Sequence, residues 1–287
     1  MFDLPPILGT DAVADLASAE EMVAGNPGGA LDLAWPAFER GLFRLAGVAV
    51  SHWHAAGSPS SDALPIRHPD GRFIHALAIG HAVDLLSFCA EQAPLLPTQK
   101  LALPEVTRLR TGTDRVLAAI AGTTPERLRT TRFPLLDLVA AGAKPSRKGT
   151  AWLGAVGTFV RLRNLEAHHS GRAQEWVSGH PDYAAAFAPL VIPAMLDLLG
   201  HPEIAAPLRG WRVATVTDIS RPRGGKPVLI ALTPDDAEIQ KAYVPGPGLD
   251  VRVSDQVVLD ISAGATKGHI VMAFLDLATG VPAEIMQ

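Results

Sequence analysis

The sequence predicts an α+β protein, with an all-α helical bundle over residues 1–205 followed by a small antiparallel β-rich domain over residues 206–287. Three observations carry that expectation. Apolar residues recur at helical spacing through most of the first 200 positions. From about Gly210 the pattern changes to short β-branched runs and rough period-two alternation between Gly, Pro and Asp clusters. Of the 287 residues, 48% are apolar and 19% charged, enough to bury a core and too apolar for wholesale disorder.

The elements follow in order. Residues 11–24 read as a short amphipathic helix opened by Thr10 or Asp11 and stopped before Asn26-Pro27-Gly28-Gly29. Residues 31–54 form a longer helix with Trp35, Phe38, Leu42, Leu45, Ala46 and Ala49 at helical spacing and Pro36 in its first turn. The Gly, Ser and Pro cluster over residues 57–71 is a loop, and residues 72–92 are a third helix. Residues 104–121, 125–130 and 133–141 continue the helical pattern. Thr150 caps a helix from Ala151 to about His169, which Ser170-Gly171 ends. Tyr183–Leu199 is the last strong helix. Beyond it, residues 211–217, 226–232, 251–253, 257–261 and 269–274 read as strands of a small sheet or partly closed barrel.

Composition also excludes functions. A net charge of -4 is incompatible with a generally basic nucleic-acid coat, so any such contact must come from a local patch. Cys89 is the only cysteine, which excludes an internal disulfide framework and a thiolate-rich zinc site and fits a reducing compartment. The first residues lack the basic start and apolar core of a signal peptide. The richest apolar run, residues 42–50, is interrupted by Arg44, so no membrane partner is expected and the cytoplasm is the default location.

One segment concentrates residues suited to chemistry: Phe159-Val160-Arg161-Leu162-Arg163-Asn164-Leu165-Glu166-Ala167-His168-His169-Ser170-Gly171. An arginine, a polar residue and a histidine close together at the end of a long helix resemble the Arg-x(4–6)-His signature of the HEPN superfamily. Arg163 to His168 has four intervening residues, Arg163 to His169 five, and Arg161 to His168 six. The close resemblance covers about 20 residues and the looser one the helical N-terminal part. It implies a HEPN-like bundle acting as a metal-independent endoribonuclease on RNA, with no cofactor. His168 would be the acid–base group, Arg163 the phosphate-stabilising cation and Asn164 the orienting residue, with Arg161 and His169 as auxiliaries. It further implies a homodimer that joins two motifs across one cleft, a toxin or phage-defence role, and an antitoxin or regulatory protein as partner. Some relatives carry a tyrosine shortly after the histidine that a nucleotidyltransferase modifies; here Ser170 and Gly171 stand there, so that control is not implied. Other HEPN domains are non-catalytic, which leaves a dimerisation or binding module, with the β-domain recognising a partner or nucleic acid, as the alternative.

The chemistry has a physical basis. RNA cleavage needs no metal when the 2′-hydroxyl attacks its own phosphodiester, and an imidazole titrating near neutrality can move the proton. A fixed guanidinium stabilises the charge that builds on the phosphorane. Residues five apart on a helix are rotated by about 140°, so Arg163 and His168 do not share a face of one regular helix. In the structural reading, Arg163 pairs with Glu166 and the two histidines meet the helix C-terminal carbonyls.

The basic loop of Lys144, Arg147 and Lys148, next to this helix in sequence, is the candidate for guiding RNA. His52, His54, His75 and His81 are weak metal candidates with no carboxylate or thiolate completing a site. Arg221-Pro222-Arg223-Gly224-Gly225-Lys226 lacks the Ser or Thr and the helix of a P-loop, and reads as a hairpin connection or, failing that, a phosphate-contacting loop.

Overall fold

The computed structural model describes residues 4–56, 79–120, 122, 124, 126–127, 150–166, 182–221, 223–224, 228–233, 238–242, 253–254, 256–260, 272–276 and 281–286. Among them are helices α1 (Thr10–Met22), α2 (Pro27–Ala55), α3 (Ile79–Gln92), α4 (Pro104–Ile120), α5 (Trp152–Glu166), α6 (Tyr183–Leu199) and α7 (Pro202–Leu208). A two-residue bridge pairs β1 (Lys100–Leu101) with β2 (Thr150–Ala151). Strands β3 (Trp211–Ser220), β4 (Val228–Leu232), β5 (Glu238–Ala242), β6 (Gln256–Asp260), β7 (Met272–Asp276) and β8 (Val281–Met286) form one sheet of order β5-β4-β3-β6-β7-β8. The class is α+β, helices first and an antiparallel sheet after.

Two compact units interleave along the chain. One comprises Met1–Leu4, Val13–Phe38 and Pro97–Pro202; the other Pro5–Ala12, Glu39–Leu96 and Glu203–Gln287. Helix α2 contributes to both.

Several local expectations change. Helix α1 ends before Asn26 as expected, but Pro27, Gly28 and Gly29 already belong to α2, because Asn26 caps it: its Oδ1 accepts the Gly29 N–H at 3.0 Å and Pro27 needs no donor at the first position. A Cβ at Gly29 would meet the Asn26 amide, so a side chain there would displace the capping group. With the helix starting earlier, Pro36 lies inside α2 and not in its first turn. Thr150 and Ala151 do not begin α5; they pair with Leu101 and Lys100, and the helix starts at Trp152. Val253 belongs to a turn and not a strand: it is 54% exposed, and Ser254, at φ 79, donates to the Val216 carbonyl at 2.7 Å.

In the sheet, β3, β4 and β5 follow one another as antiparallel neighbours, and β6 returns to the other side of β3. That is a Greek-key arrangement. Strands β5 and β8, neither evident in the sequence, are its two edges. Edge strands tolerate charge and proline, which is why Glu238, Lys241 and Pro282 hide them from a hydrophobic pattern.

In the sheet-containing unit the turn Pro6–Leu8 packs on β3, with Ile7 and Leu8 fully buried. Arg44 of α2, 3% exposed, holds this segment: it donates to the Leu8 carbonyl and bidentately to Asp11, at 2.8 and 3.2 Å. Arg40 adds a contact to Asp11 at 3.2 Å. Gly9 lies beneath the guanidinium at φ 80, where a side chain would meet Arg44. Burial raises the Asp11 carboxyl, but the Arg44 hydrogen bond and charge, the Ala12 N–H and Arg40 outweigh it, leaving the group below its ordinary value.

No single helix among the described residues is long and apolar enough to cross a membrane.

Candidate functional site

The helix that carries the motif is built into a three-helix layer with α4 and α6, all within one compact unit. Trp152, Val156 and Phe159 are fully buried on α5, and Phe159 meets Phe38 of α2 with ring centroids 5.1 Å apart.

Polar side chains join these helices where their backbones lack partners. The first turn of α4 has Leu103 where a capping side chain would stand, and Asp197 of α6 supplies the acceptor instead. Its Oδ2 takes the N–H of Glu105 at 2.9 Å and of Val106 at 3.4 Å. In α6 the Pro189 carbonyl faces Pro193, which has no N–H to give; Arg108 of α4 donates to it at 2.8 Å. The Leu198 carbonyl, in the last turn of α6, accepts the Trp152 indole N–H at 3.0 Å. Arg110 of α4 reaches α5, donating to Thr158 Oγ1 at 3.2 Å and approaching the Gly154 carbonyl at 3.4 Å. Desolvation pulls its guanidinium below the ordinary arginine value.

Arg163 lies in the last turn of α5 and is half-buried. At about 100° per residue its position continues the packed line of Val156 and Phe159, seven and four residues earlier. It also makes a polar or electrostatic contact of its own. Of Arg161 and Asn164 only the helical backbone is described. Those two positions, three apart, neighbour one another, and position 161 stands above Gly154 on the side that Arg110 approaches. Arg163 thus continues a packed line of α5. His168, His169, Lys144, Arg147 and Lys148 lie outside the described residues.

Arg108, Arg110 and Asp197 were not evident in the sequence as residues that hold the motif helix and its neighbours. One signal was present: prolines four apart, Pro189 and Pro193, announce an orphan carbonyl that some donor must satisfy. Arg110 offered no such signal, since its partners on α5 are more than 40 residues away.

Among the described residues no group of three or more His, Cys, Asp or Glu side chains is placed to hold a metal ion. Cys89 is buried, and burial pushes its thiol up to about 12, far from the thiolate that nucleophilic chemistry needs. Comparison of the chain with protein-family models, curated proteins and solved structures gave no match.

Proposed function

We propose that the chain is a metal-independent endoribonuclease of HEPN type, working as a homodimer whose two motif copies face one RNA strand. The observation that best supports this reading is the setting of Arg163. It is half-buried at the end of a helix bound to its neighbours by Arg110 and Trp152, neither sealed in the core nor fully solvated. A cation on an anchored helix has its backbone already ordered when it meets a phosphate, which favours electrostatic stabilisation of a transition state.

In the proposed reaction His168 takes the proton of the 2′-hydroxyl, and the 2′-oxygen attacks the adjacent phosphorus. The bond to the 5′-oxygen breaks, and that oxygen leaves with a proton returned by an imidazole. Arg163 stabilises the phosphorane, Asn164 orients the reacting groups, and Arg161 and His169 assist. Lys144, Arg147 and Lys148 guide the strand. The products carry 2′,3′-cyclic phosphate and 5′-hydroxyl ends. A toxin or defence role, and an antitoxin partner, extend the same proposal.

The test is RNA cleavage by the purified chain in EDTA. The wild type cleaves; His168→Ala folds and is inactive; Arg163→Ala loses about 10²–10³ in kcat, the effect of removing one transition-state donor. Activity abolished by EDTA and restored by a divalent ion would overturn the mechanism. A wild type as inert as His168→Ala would favour the non-catalytic binding module.

A further inference from the structure

We infer that residues 5–9 form a releasable strap over β3, swinging away on Gly9 while the sheet and α2 stay folded. The strap is independent of the α5 motif.

Side chains hold it, and the backbone does not. Its main-chain hydrogen bonds close on the turn itself, from the Leu8 N–H to the Pro5 carbonyl and from the Gly9 N–H to the Pro6 carbonyl, both at 3.0 Å. Among the described residues none runs from this turn to β3, although the turn packs on that strand. Pro5 and Pro6 have no N–H to offer a strand. Departure therefore breaks no ladder. The attachments are Ile7 and Leu8, both fully buried, and one guanidinium, Arg44, which donates to the Leu8 carbonyl.

Gly9 supplies the hinge. It stands between the turn and α1 at φ 80 and ψ 150, a conformation that glycine alone adopts readily. Helix α1 begins at Thr10, so Asp11 lies on the side of the hinge that stays. That division matters for Arg44, a buried cation that would be costly to leave without an acceptor. Asp11 holds it bidentately, at 2.8 and 3.2 Å, and keeps holding it when the Leu8 carbonyl departs. Release gives up one hydrogen bond and the burial of two apolar side chains, and it strands no charge. Openings of that size are local and fall below the cost of unfolding a whole unit. The open form uncovers the strip of β3 on which the turn packs.

The test is cysteine labelling of the full chain under native conditions. Cys89, the only native thiol, is buried, so an added cysteine reports the opening of its own position above the wild-type baseline. Leu8→Cys places the probe in the strap; Leu42→Cys places it at a fully buried position of α2 in the same unit. Leu8→Cys should react at least about tenfold faster than Leu42→Cys, each rate taken relative to the denatured protein. Equal protection would mean that the turn opens only when the unit unfolds, and overturns the inference. Hydrogen exchange of the unsubstituted protein repeats the comparison without a core substitution. The Leu8 and Gly9 amides, unsupported once the turn is open, should exchange at least about tenfold faster than those of Leu45 and Ala46 in α2. Equal exchange overturns the inference as well. Gly9→Ala sets a Cβ against the Arg44 guanidinium and disfavours the closed backbone. It should carry the Leu8→Cys rate close to the denatured one and leave Leu42→Cys protected. A Leu8→Cys rate that Gly9→Ala leaves unchanged, or a Leu42→Cys rate that rises as far, refutes a strap hinged at this glycine.

Discussion

Replacing Asp197 by alanine tests whether α4 is held by a side chain from another helix. The carboxylate is 8% exposed and receives two backbone N–H groups, at 2.9 and 3.4 Å, from the start of a helix whose own N-cap position is Leu103. A hydrogen bond to a charged acceptor contributes about 1.5–3 kcal/mol, and only the shorter contact has full strength. A negative charge at a helix N-terminus adds about 0.3–1 kcal/mol. Together these give a loss of about 2–4 kcal/mol for Asp197→Ala, the lower part of the range if water enters to solvate the freed N–H groups. Asparagine keeps an acceptor and gives up the charge, so Asp197→Asn should lose about 1 kcal/mol. Urea denaturation followed by circular dichroism reads both values as shifts in midpoint at constant m. Hydrogen exchange at the Glu105 and Val106 amides locates the loss at the first turn of α4. The reasoning is refuted if the alanine variant stays within about 0.5 kcal/mol of wild type, the range of an ordinary surface substitution.

Two further outcomes follow from groups that burial and charge have moved. Asp11 titrates below its ordinary value, so its contribution to stability is fully present above about pH 4, the unfolded-state value, and is lost as pH falls through the folded one. The Asp11 side chain is 51% exposed, and solvent screening holds the contribution to about 1 kcal/mol. Thermal melts from pH 7 down to 2.5 should show Asp11→Asn already destabilised at neutrality and converging on wild type in acid; parallel curves would contradict this. Cys89, with its thiol pushed up to about 12, should resist a thiol-specific reagent at pH 8 in the native protein and react fully in denaturant. Stoichiometric labelling of the native protein within minutes would show that the site is open.

The sequence made helices and central strands legible where one period dominates. Tyr183–Leu199 was bounded correctly because its apolar content is continuous and Gly200 follows it. The sequence pattern places the start of α2 too late because Asn, Pro and Gly serve equally as the end of one helix and the beginning of the next, and only the Asn26 bond to Gly29 decides between them. Strands β5 and β8 escaped because an edge has one neighbour and need not be apolar. The candidate site divides in the same way. That Arg161, Arg163 and Asn164 ride one helix was readable from periodicity. That Arg163 continues the line of Val156 and Phe159, and that Arg110 reaches Thr158 from α4, depends on how the neighbouring helices pack on α5, and pattern alone does not fix that.

The interleaving of the two units has a consequence for synthesis. Glu39–Leu96 belongs to the same unit as Glu203–Gln287, so its partners leave the ribosome more than a hundred residues later. At roughly 5–20 residues per second, that segment waits on the order of 10 s for them. Within it, residues 41–51 of α2 are buried without exception once the chain has folded. For that interval the unit is incomplete, with only Pro5–Ala12 and Glu39–Leu96 of it made, and a holding chaperone would have a target there.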